Sequence, residues 1–337
     1  MTFCAIQSPP VRRYTGEVKI DGYAGMDSLA TAVARAIQLP SAKGFAVTEI
    51  HPTAVVSPLA RLGADVQIGP FCVIEAGVEI GDRCRLESFV TIKTGSKIGC
   101  DNKICDHAVI GGGAQHIRAP ENPGTIVVGD RNQIREFVTI HRALHAGEQT
   151  IVGNDCLLMV QAHIGHDSII GNNVIITNNA LVAGHVVIED RAYVSGAVAI
   201  HQFCRVGRNA MVGGQAHVVQ DVPPFVTVDG CSSLVVGLNL VGLKRNGFDS
   251  ESIRELKNAY RILYRSNLTN GEALEKIRMD FAGKPAEHFH TFLAPSKRGF
   301  IQARSRGRQR PLHEEPVKLR VLPGEHPESS ENVRQAG

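Results

Sequence analysis

The stretch VGNDCLLMVQAHIGHDSIIGNNVIITNNALVAGHVVI, residues 152–188, places a branched aliphatic residue at every sixth position. The same period begins at Ile50 and extends to Val218. The period continues in the same phase after two interruptions, 110–128 and 140–152, because the length of each is a multiple of six residues. A helix would need apolar residues every three or four positions, and a hairpin sheet would alternate over longer strands. The hexad therefore predicts short strands joined by bends, repeated as a parallel β-helix.

Small residues accompany the aliphatic series. Glycine often follows the aliphatic residue, and we expect it at a bend because it tolerates positive φ. The residue four positions after the aliphatic is usually small, as in Ala162 and Ala180. One large and one small inward residue per hexad would fill a narrow core, which explains a chain of 337 residues with 43% apolar residues, 5% aromatic residues and no Trp.

Charge and cysteine content exclude several classes of protein. The net charge of +3 is too close to zero to suggest a protein that binds nucleic acid or a membrane surface, so no nucleic acid is expected as a partner. No apolar run is long enough to span a bilayer. The eight cysteines contain no CxxC pair, which predicts reduced thiols in an intracellular protein. Four of them occupy the small inward position and are predicted to pack in the core: Cys72, Cys84, Cys156 and Cys204.

The repeat divides the chain into four predicted parts. Residues 1–46 form an N-terminal extension with a short amphipathic pattern, which favours a mitochondrial transit peptide or else an unstructured start of a cytoplasmic protein. The β-helix is predicted over 47–222, with loops at 111–127 and 141–151. A small α-helical domain follows over 223–302, with a first helix capped by Ser250. Residues 303–337 are predicted to be a disordered tail.

The hexad of an aliphatic residue, a glycine and a small residue resembles the hexapeptide-repeat transferases. The resemblance implies a left-handed parallel β-helix of triangular section with three hexads per coil, so that residues n and n+18 lie above one another. Adding 18 to His166 gives Gly184 and then Gln202, Asp167 leads to His185, and Ala183 leads to His201. The set predicted to share one patch of one face is therefore His166, Asp167, Gly184, His185, His201 and Gln202.

This patch has the groups needed for acyl transfer to a hydroxyl. Imidazole, with an ordinary pKa of about 6.5, is a good general base when a carboxylate holds it, and the amide of Gly184 is free to bind an oxyanion. Polar residues facing solvent are the simpler alternative for any one of them. Zinc bound by three histidines is a further alternative, although the chain lacks the H-x4-H pair of the gamma carbonic anhydrases, and no metal or other cofactor is expected.

Longer motifs narrow the resemblance. The stretches GDRNQIREFVTIHR, LLMVQAHIGHDS, HQFCRVG and GLKRNGF are similar to the acyl-(acyl carrier protein)–UDP-N-acetylglucosamine O-acyltransferase family of lipid A synthesis. The resemblance implies transfer of a 3-hydroxyacyl group from its carrier thioester to the 3-hydroxyl of UDP-N-acetylglucosamine. His166 would be the general base, Asp167 would orient it, and the Gly184 amide would bind the oxyanion. Substrate contacts would come from Gln115, Arg118, His141, His163, His185, His201, Gln202, Asn239 and Arg245.

The same resemblance implies further properties. Gly214 matches the position that limits acyl length, and the family is a homotrimer with its site between neighbouring β-helices. The acidic carrier protein could meet basic residues such as Arg205, Arg208, Lys244 and Arg245. Some positions depart from the family pattern and put substrate preference in question: His116, Arg118, Val241 and Asn246. A related N-acyltransferase, a gamma carbonic anhydrase or a non-catalytic β-helix are the alternatives.

Overall fold

The structure is a computed structural model that describes residues 48–304. The predicted N-terminal extension and residues 305–337 of the predicted tail lie outside this range. The described chain is a β-helix of three parallel sheets followed by a helical domain, which confirms the predicted fold class. Within residues 48–304, no helix is long and apolar enough to cross a membrane.

Each sheet collects every third strand along the chain, except that the last two strands both join the first sheet, the final one antiparallel to its neighbour. The first sheet contains Glu49–Ile50 (β1), Gln67–Ile68 (β4), Arg85–Leu86 (β7), Lys103–Ile104 (β10), Gln133–Ile134 (β13), Leu157–Leu158 (β16), Ile175–Ile176 (β19), Tyr193–Val194 (β22), Met211–Val212 (β25), Val226–Val228 (β27) and Val235–Leu238 (β28). The second contains Val55–Val56 (β2), Val73–Ile74 (β5), Thr91–Ile92 (β8), Val109–Gly112 (β11), Thr139–His141 (β14), His163–Ile164 (β17), Leu181–Val182 (β20), Ala199–Ile200 (β23) and His217–Val218 (β26). The third contains Arg61–Leu62 (β3), Glu79–Ile80 (β6), Ser96–Ile98 (β9), Thr125–Val128 (β12), Gln149–Val152 (β15), Ile169–Ile170 (β18), Val187–Ile188 (β21) and Arg205–Val206 (β24).

The register repeats every 18 residues except where the loops intervene and between β25 and β27, where Met211 pairs with Thr227. His163 pairs with Leu181, and Leu181 pairs with Ala199, as the coil arithmetic predicts. Across the first loop the spacing is 30 residues, since Ile98 pairs with Val128. Across the second loop it is 24, since Thr139 pairs with His163. Both loops are shorter than predicted, because β11, β12, β14 and β15 extend into the ranges 111–127 and 141–151.

The core consists of the predicted aliphatic series. From Ile68 to Val218, every aliphatic residue of the hexad is buried in the interior. The four cysteines at the small inward position are also buried, which confirms their predicted packing role. The first coil is open at its end, so that Ile50 is 45% exposed. Short aliphatic side chains stack in each column, and this regular stacking excludes larger aromatic rings.

The predicted role of the glycines that follow the aliphatic residues is wrong. Among them only Gly111 has a positive φ. The others are needed because the next coil approaches closely: a Cβ on Gly165 would lie 2.8 Å from the backbone of Ala183 and Gly184. The positive φ occurs instead three residues after most of the aliphatic residues, and mostly at residues other than glycine, such as Asp167 and His185 at φ 59°. These residues form the corners of the coil.

Each corner of the β-helix carries a different chemistry. One corner has Asp and Arg in alternation, with two-point hydrogen bonds from Arg83 to Asp101 and from Arg131 to Asp155. The next carries stacked rings with centroids 4.8–5.0 Å apart: Phe71, Phe89, His107 and Phe137. The third carries Asp167, His185 and Phe203, which lie in consecutive coils. The functional residues predicted from the sequence concentrate at this third corner.

The helical domain contains four α-helices and one 3₁₀ turn among the described residues. They are Leu240–Arg245 (α1), Ser250–Arg265 (α2), Asn270–Asp280 (α3), the turn Pro285–Glu287 and His288–Leu293 (α4). The residue that caps α2 is Asp249, which accepts the amide hydrogen of Ser252, and not Ser250 as predicted. Helix α1 was not predicted, because its few residues offer too little apolar periodicity. Beyond the predicted end of the β-helix at 222, β27 still pairs in parallel with β25.

Candidate active site

The site is built on a hydrogen-bonded pair of neighbouring residues. The Nδ1–H of His166 donates to Oδ2 of Asp167 at 2.5 Å. Only 12% of the His166 side chain and 7% of the Asp167 side chain are exposed. Because Nδ1 carries the proton toward the carboxylate, Nε2 keeps its lone pair. The pair therefore presents a base whose tautomer and orientation are fixed.

The second loop holds the carboxylate in place. The backbone N–H of Leu144 donates to both Asp167 oxygens, at 3.1 and 3.3 Å. The N–H of Asp167 itself donates to Oγ1 of Thr150 at 2.8 Å, and the Thr150 side chain is fully buried. Asp167 is thus fixed through its backbone and its side chain by residues at opposite ends of one loop.

Gly184 lies directly beneath the ring of His166. A Cβ at this position would be 2.7 Å from Cε1 and Nε2 of the ring, closer than real Cβ atoms approach. No residue in the range 48–304 accepts a hydrogen bond from the Gly184 N–H. The glycine therefore makes room for the ring and leaves one backbone donor beside its free nitrogen.

His185 continues the corner on the next coil. Its Nε2 lies 3.7 Å from Oδ2 of Asp167, and its ring meets that of His166 edge-on at a centroid distance of 5.2 Å. On the other side it stacks on Phe203 at 4.7 Å. His185 is one-third exposed, whereas His166 and Asp167 are largely buried.

Two further histidines lie on neighbouring strands of the second sheet, His163 in β17 and His141 at the end of β14. Nδ1 of His163 is 2.8 Å from Oγ1 of Thr139, and the rings of His163 and His141 meet edge-on at 4.9 Å. His141 is buried, and its Nδ1 has no hydrogen-bond partner within the described chain. A Cβ on Gly112 would lie 3.0 Å from the His141 ring, so the first loop packs closely over this side of the site.

Burial keeps these neighbouring histidines neutral. It lowers the pKa of His141 to about 4, with a smaller contribution from His163 and His166. The pKa of His163 is lowered by burial and by His166. Burial also lowers the pKa of His185, although Asp167 opposes the effect. Neutral imidazoles can donate and accept hydrogen bonds to hydroxyl groups, which suits a sugar substrate.

Asp167 stays ionised despite its burial. Burial by itself would raise its pKa, but the hydrogen bond from His166, the nearby His185 and the Leu144 N–H together lower it. The same charge raises the pKa of Glu148 in the second loop, where burial is the larger cause. An ionised Asp167 can stabilise a positive charge that forms on His166.

The remaining predicted substrate residues of the β-helix are exposed. His201 and Gln202 lie at the surface, and Nδ1 of His201 is 3.1 Å from the backbone oxygen of Gln202. Gln115 and Arg118 are exposed in the first loop. Gly214 is also exposed, and a Cβ there would find its nearest neighbour, the oxygen of Gly196, at 3.4 Å.

Asn239 and Arg245 lie apart from the histidine cluster. Asn239 caps α1 by accepting from the Gly242 N–H, and its amide group donates to the backbone oxygen of Asn209. Arg245 is exposed at the end of the same helix. Asn246, a departure from the family pattern, also binds Asn209 through its side chain. The side chains of Asn239 and Asn246 thus join helix α1 to Asn209 of the β-helix, and within residues 48–304 neither forms a hydrogen bond with the histidine cluster.

Arg205 does not serve the predicted contact with an acidic partner. Its guanidinium is buried, donates to Asp221 at 2.5 and 2.9 Å and lies 4.5 Å above the ring of Phe292. Arg208, Lys244 and Arg245 are at least partly exposed. The expectation for Arg205 is therefore wrong, because its guanidinium is buried in an ion pair with Asp221, which also binds Ser296 of the C-terminal segment.

Three groups that shape the site were not predicted from the sequence: Thr139, the amide of Leu144, and Thr150. A spacing of 24 residues, which allows for the insertion in the second loop, would have predicted the contact between Thr139 and His163. No periodic pattern in the sequence predicts the contacts of Leu144 and Thr150. Within the described chain, His166, Asp167 and His185 also offer one ligand atom each within 4.8 Å of one another, the arrangement of a metal site.

A β-helix of hexad coils with a histidine–carboxylate pair at one corner defines a hexapeptide-repeat transferase. Two family models match the chain: "Bacterial transferase hexapeptide (six repeats)" over 60–94 and 149–184, and "Udp N-acetylglucosamine O-acyltransferase; Domain 2" over 221–301. An acyl-[acyl-carrier-protein]–UDP-N-acetylglucosamine O-acyltransferase of Myxococcus xanthus is 47% identical over 258 residues, which are 76% of this chain and 100% of the relative. The chain belongs to this family of O-acyltransferases.

Other relatives agree with this membership. The protein of the same name from Gloeothece citriformis is 44% identical over 74% of this chain and 90% of its own length. The crystal structure of the Francisella novicida UDP-N-acetylglucosamine acyltransferase superimposes with a TM-score of 0.71 at 38% identity, covering 75% of this chain and 94% of that one. The Arabidopsis UDP-N-acetylglucosamine acyltransferase gives 0.67 at 35% identity, over 75% and 100%.

Proposed function

We propose that this protein transfers a 3-hydroxyacyl group from an acyl carrier protein thioester to the 3-hydroxyl of UDP-N-acetylglucosamine, the first step of lipid A biosynthesis. Membership of the family supports the reaction class. The observation that carries the assignment to this site is the hydrogen bond between His166 and Asp167 beside the free amide of Gly184. Together these groups supply a base, its orienting carboxylate and an oxyanion donor.

The general base in this mechanism is Nε2 of His166. It takes the proton of the 3-hydroxyl while the hydroxyl oxygen attacks the thioester carbon. Asp167 stabilises the imidazolium that results, because its carboxylate accepts from Nδ1–H. When the tetrahedral intermediate collapses, the C–S bond breaks and the carrier thiolate takes the proton from His166. The products are the O-acylated sugar nucleotide and the free carrier thiol.

The Gly184 N–H supports the intermediate. It lies next to the His166 ring and lacks a hydrogen-bond partner in the described chain. A donor in this place can bind the negative oxygen of the former thioester carbonyl. The neutral rings of His141, His163 and His185 suit hydrogen bonds to sugar hydroxyls, and Gly214 leaves space for an acyl chain.

The substrate contacts are divided between two places, and we propose that assembly into a homotrimer joins them. The histidine cluster lies at a corner of the β-helix, whereas Asn239 caps the start of helix α1 and hydrogen-bonds Asn209, and Arg245 lies at the end of the same helix. In a trimer with the site between subunits, helix α1 of one subunit could serve the histidine cluster of its neighbour. Light scattering of the purified protein should then give three times the mass of the chain, and a monomer would contradict the proposal.

Basic groups near the C-terminal domain suit the acyl carrier protein. Arg208, Lys244 and Arg245 are the exposed members of the predicted set. Opposite charges on two partners accelerate their association and make the rate dependent on salt. We expect the KM for the acylated carrier, but not the KM for the sugar nucleotide, to rise with ionic strength.

The decisive experiment offers acylated carrier protein and UDP-N-acetylglucosamine to the purified chain and measures O-acylated product. We expect transfer, and we expect His166→Ala to reduce kcat by about 10²–10⁴-fold. His217→Ala, an exposed histidine in the same sheet, is the matched control and should retain activity. A fully active His166→Ala would overturn the assignment. Product formed only from an acylated glucosamine amine would favour the related N-acyltransferase.

The compartment depends on residues outside the described chain. We propose a mitochondrial location if residues 1–46 act as a presequence, and a cytoplasmic one otherwise. Sequencing the N-terminus of the protein isolated from its own cells distinguishes the two. A start between about residues 41 and 47 would indicate removal of a presequence, and a start at Met1 would contradict it.

A further inference from the structure

Three side chains of the proposed active site also have the chemistry and spacing of a transition-metal site. His166, Asp167 and His185 each offer one ligand atom, and these atoms lie within 4.8 Å of one another. Two imidazoles and a carboxylate are a ligand set typical of divalent transition metals. The side chains of His166 and Asp167 are largely buried, so they are already ordered before an ion arrives.

The distances require only a small adjustment. In a tetrahedral site with bonds of about 2.0–2.1 Å, ligand atoms are about 3.3 Å apart. Here Nε2 of His185 is 3.7 Å from Oδ2 of Asp167, and Nδ1 of His166 is 2.5 Å from the same oxygen. A bound ion would replace the proton shared by His166 and Asp167 and push that pair slightly apart.

The fourth ligand comes from the first loop, where His116 lies outside the set of atoms within 4.8 Å and has to move toward the ion. His116 lies edge-on to His166 with a centroid distance of 6.0 Å. Its Nδ1 accepts the Arg118 N–H at 3.1 Å, which leaves Nε2 for an ion.

We propose that His116, His166, Asp167 and His185 bind one Zn²⁺ or similar divalent transition-metal ion, and that the bound ion inhibits acyl transfer. The inhibitory part rests on the proposed function, because the ion would take Nδ1 of His166 and the Asp167 carboxylate, whose hydrogen bond leaves Nε2 free to act as the base. When the ion binds Nδ1, the proton of the neutral ring moves to Nε2, so the imidazole loses the lone pair with which it would act as the base. The ion is a reversible inhibitor and takes no part in the reaction.

The test uses the full chain, stripped of metal with a chelator and then titrated with Zn²⁺ alone against a chromophoric competitor. We expect one ion per chain and at least a tenfold loss of affinity in His185→Asn, which retains a residue suited to positive φ. His217→Ala should bind as the unchanged protein does. Circular dichroism confirms folding of each variant, and if His185→Asn does not fold, His116→Ala in the exposed loop replaces it with the same expected loss.

A second measurement separates this inference from the proposed function. Zn²⁺ should reduce the transfer rate over the concentration range in which it binds, and a chelator should restore the rate. Absence of a stoichiometric ion, or affinity unchanged in the folded His185→Asn or its replacement, overturns the metal site. An ion that binds without changing the rate overturns the inhibitory part. A chain that binds the ion in this way but transfers no acyl group without it leaves the site in place and overturns the proposed function.

Discussion

The imidazole of His166 rests on the Cα of Gly184 in the next coil, so closely that a Cβ there would lie 2.7 Å from two ring atoms. The ring is confined between this glycine and the carboxylate of Asp167. The glycine thus has two roles, as a donor of its free amide and as the surface that sets the height of the base above the sheet.

Gly184→Ala should therefore inactivate the protein without unfolding it. The added methyl meets a side chain and not backbone, so the ring can move away, but the hydrogen bond to Asp167 is then lost. We expect kcat to fall by about 10²–10⁴-fold, as for loss of the base itself. Gly237→Ala, where a Cβ would find no atom within 4 Å, is the control. Activity within twofold of the original protein would contradict this account of the glycine.

Thr150→Val tests the support that the second loop gives to Asp167. The substitution keeps the shape but leaves the Asp167 N–H without its acceptor. An unsatisfied buried donor costs about 1–3 kcal/mol, so the free energy of unfolding should fall by that amount. If the position of Asp167 matters for catalysis, kcat should fall about tenfold, the equivalent of about 1.4 kcal/mol, with little change in KM.

Thr150→Ser is the matched control, because it restores the hydroxyl. It should recover kcat even where a small loss of stability remains. If Thr150→Val loses stability but keeps its kcat, the hydroxyl is structural and does not position the catalytic pair.

Gly214→Leu addresses the acyl chain. A small side chain fits at this position, because the nearest atom to a Cβ is the Gly196 oxygen at 3.4 Å, but a longer one would project into the space proposed for the acyl group. We expect the ratio of kcat/KM for long and short acyl carriers to shift toward the shorter chain by at least tenfold. Competition between two acylated carriers in one reaction measures this ratio directly. An unchanged ratio would place the acyl chain elsewhere.

The ion pair of Glu189 should make the folded protein sensitive to acid. The largely buried carboxylate of Glu189 accepts from Nε2 of His288 and from the Arg208 N–H, both at 2.8 Å. Burial alone would raise its pKa, but these contacts outweigh it and lower the pKa below its ordinary value. The stabilisation is therefore complete above the unfolded pKa of about 4.3 and is lost as the pH falls through the lower folded pKa.

Thermal unfolding of Glu189→Gln as a function of pH measures this effect. Between pH 5 and 7 the variant should be less stable by about 1.5–3 kcal/mol, the range for hydrogen bonds to charged groups, and the difference should shrink below about pH 4. Glu251→Gln, with a carboxylate at the exposed start of α2, should show no such deficit. A difference independent of pH would mean that the charge of Glu189 does not stabilise the fold.

The hexad by itself determined the fold class and the core. Each strand is only a few residues long, and each aliphatic residue makes the same contacts one coil above and below, so a local period is enough to assign every inward position. The spacing of 18 also placed His166 over Gly184 and Asp167 beside His185, because no insertion separates these coils. The relative positions of His166, Asp167, Gly184 and His185 were therefore predicted correctly, whereas the roles of all six residues of the patch stay a prediction.

Only the tertiary structure decided how the catalytic pair is held. The loops change the coil spacing to 30 and 24, and their paths have no period from which contacts could be calculated. The Leu144 amide, the Thr150 hydroxyl and the placement of His116 all depend on those paths. The sequence also did not show why the glycines are needed, because the close approach between coils is a property of the stacked structure. The corners with positive φ, by contrast, accept residues as different as Asp167 and Phe203.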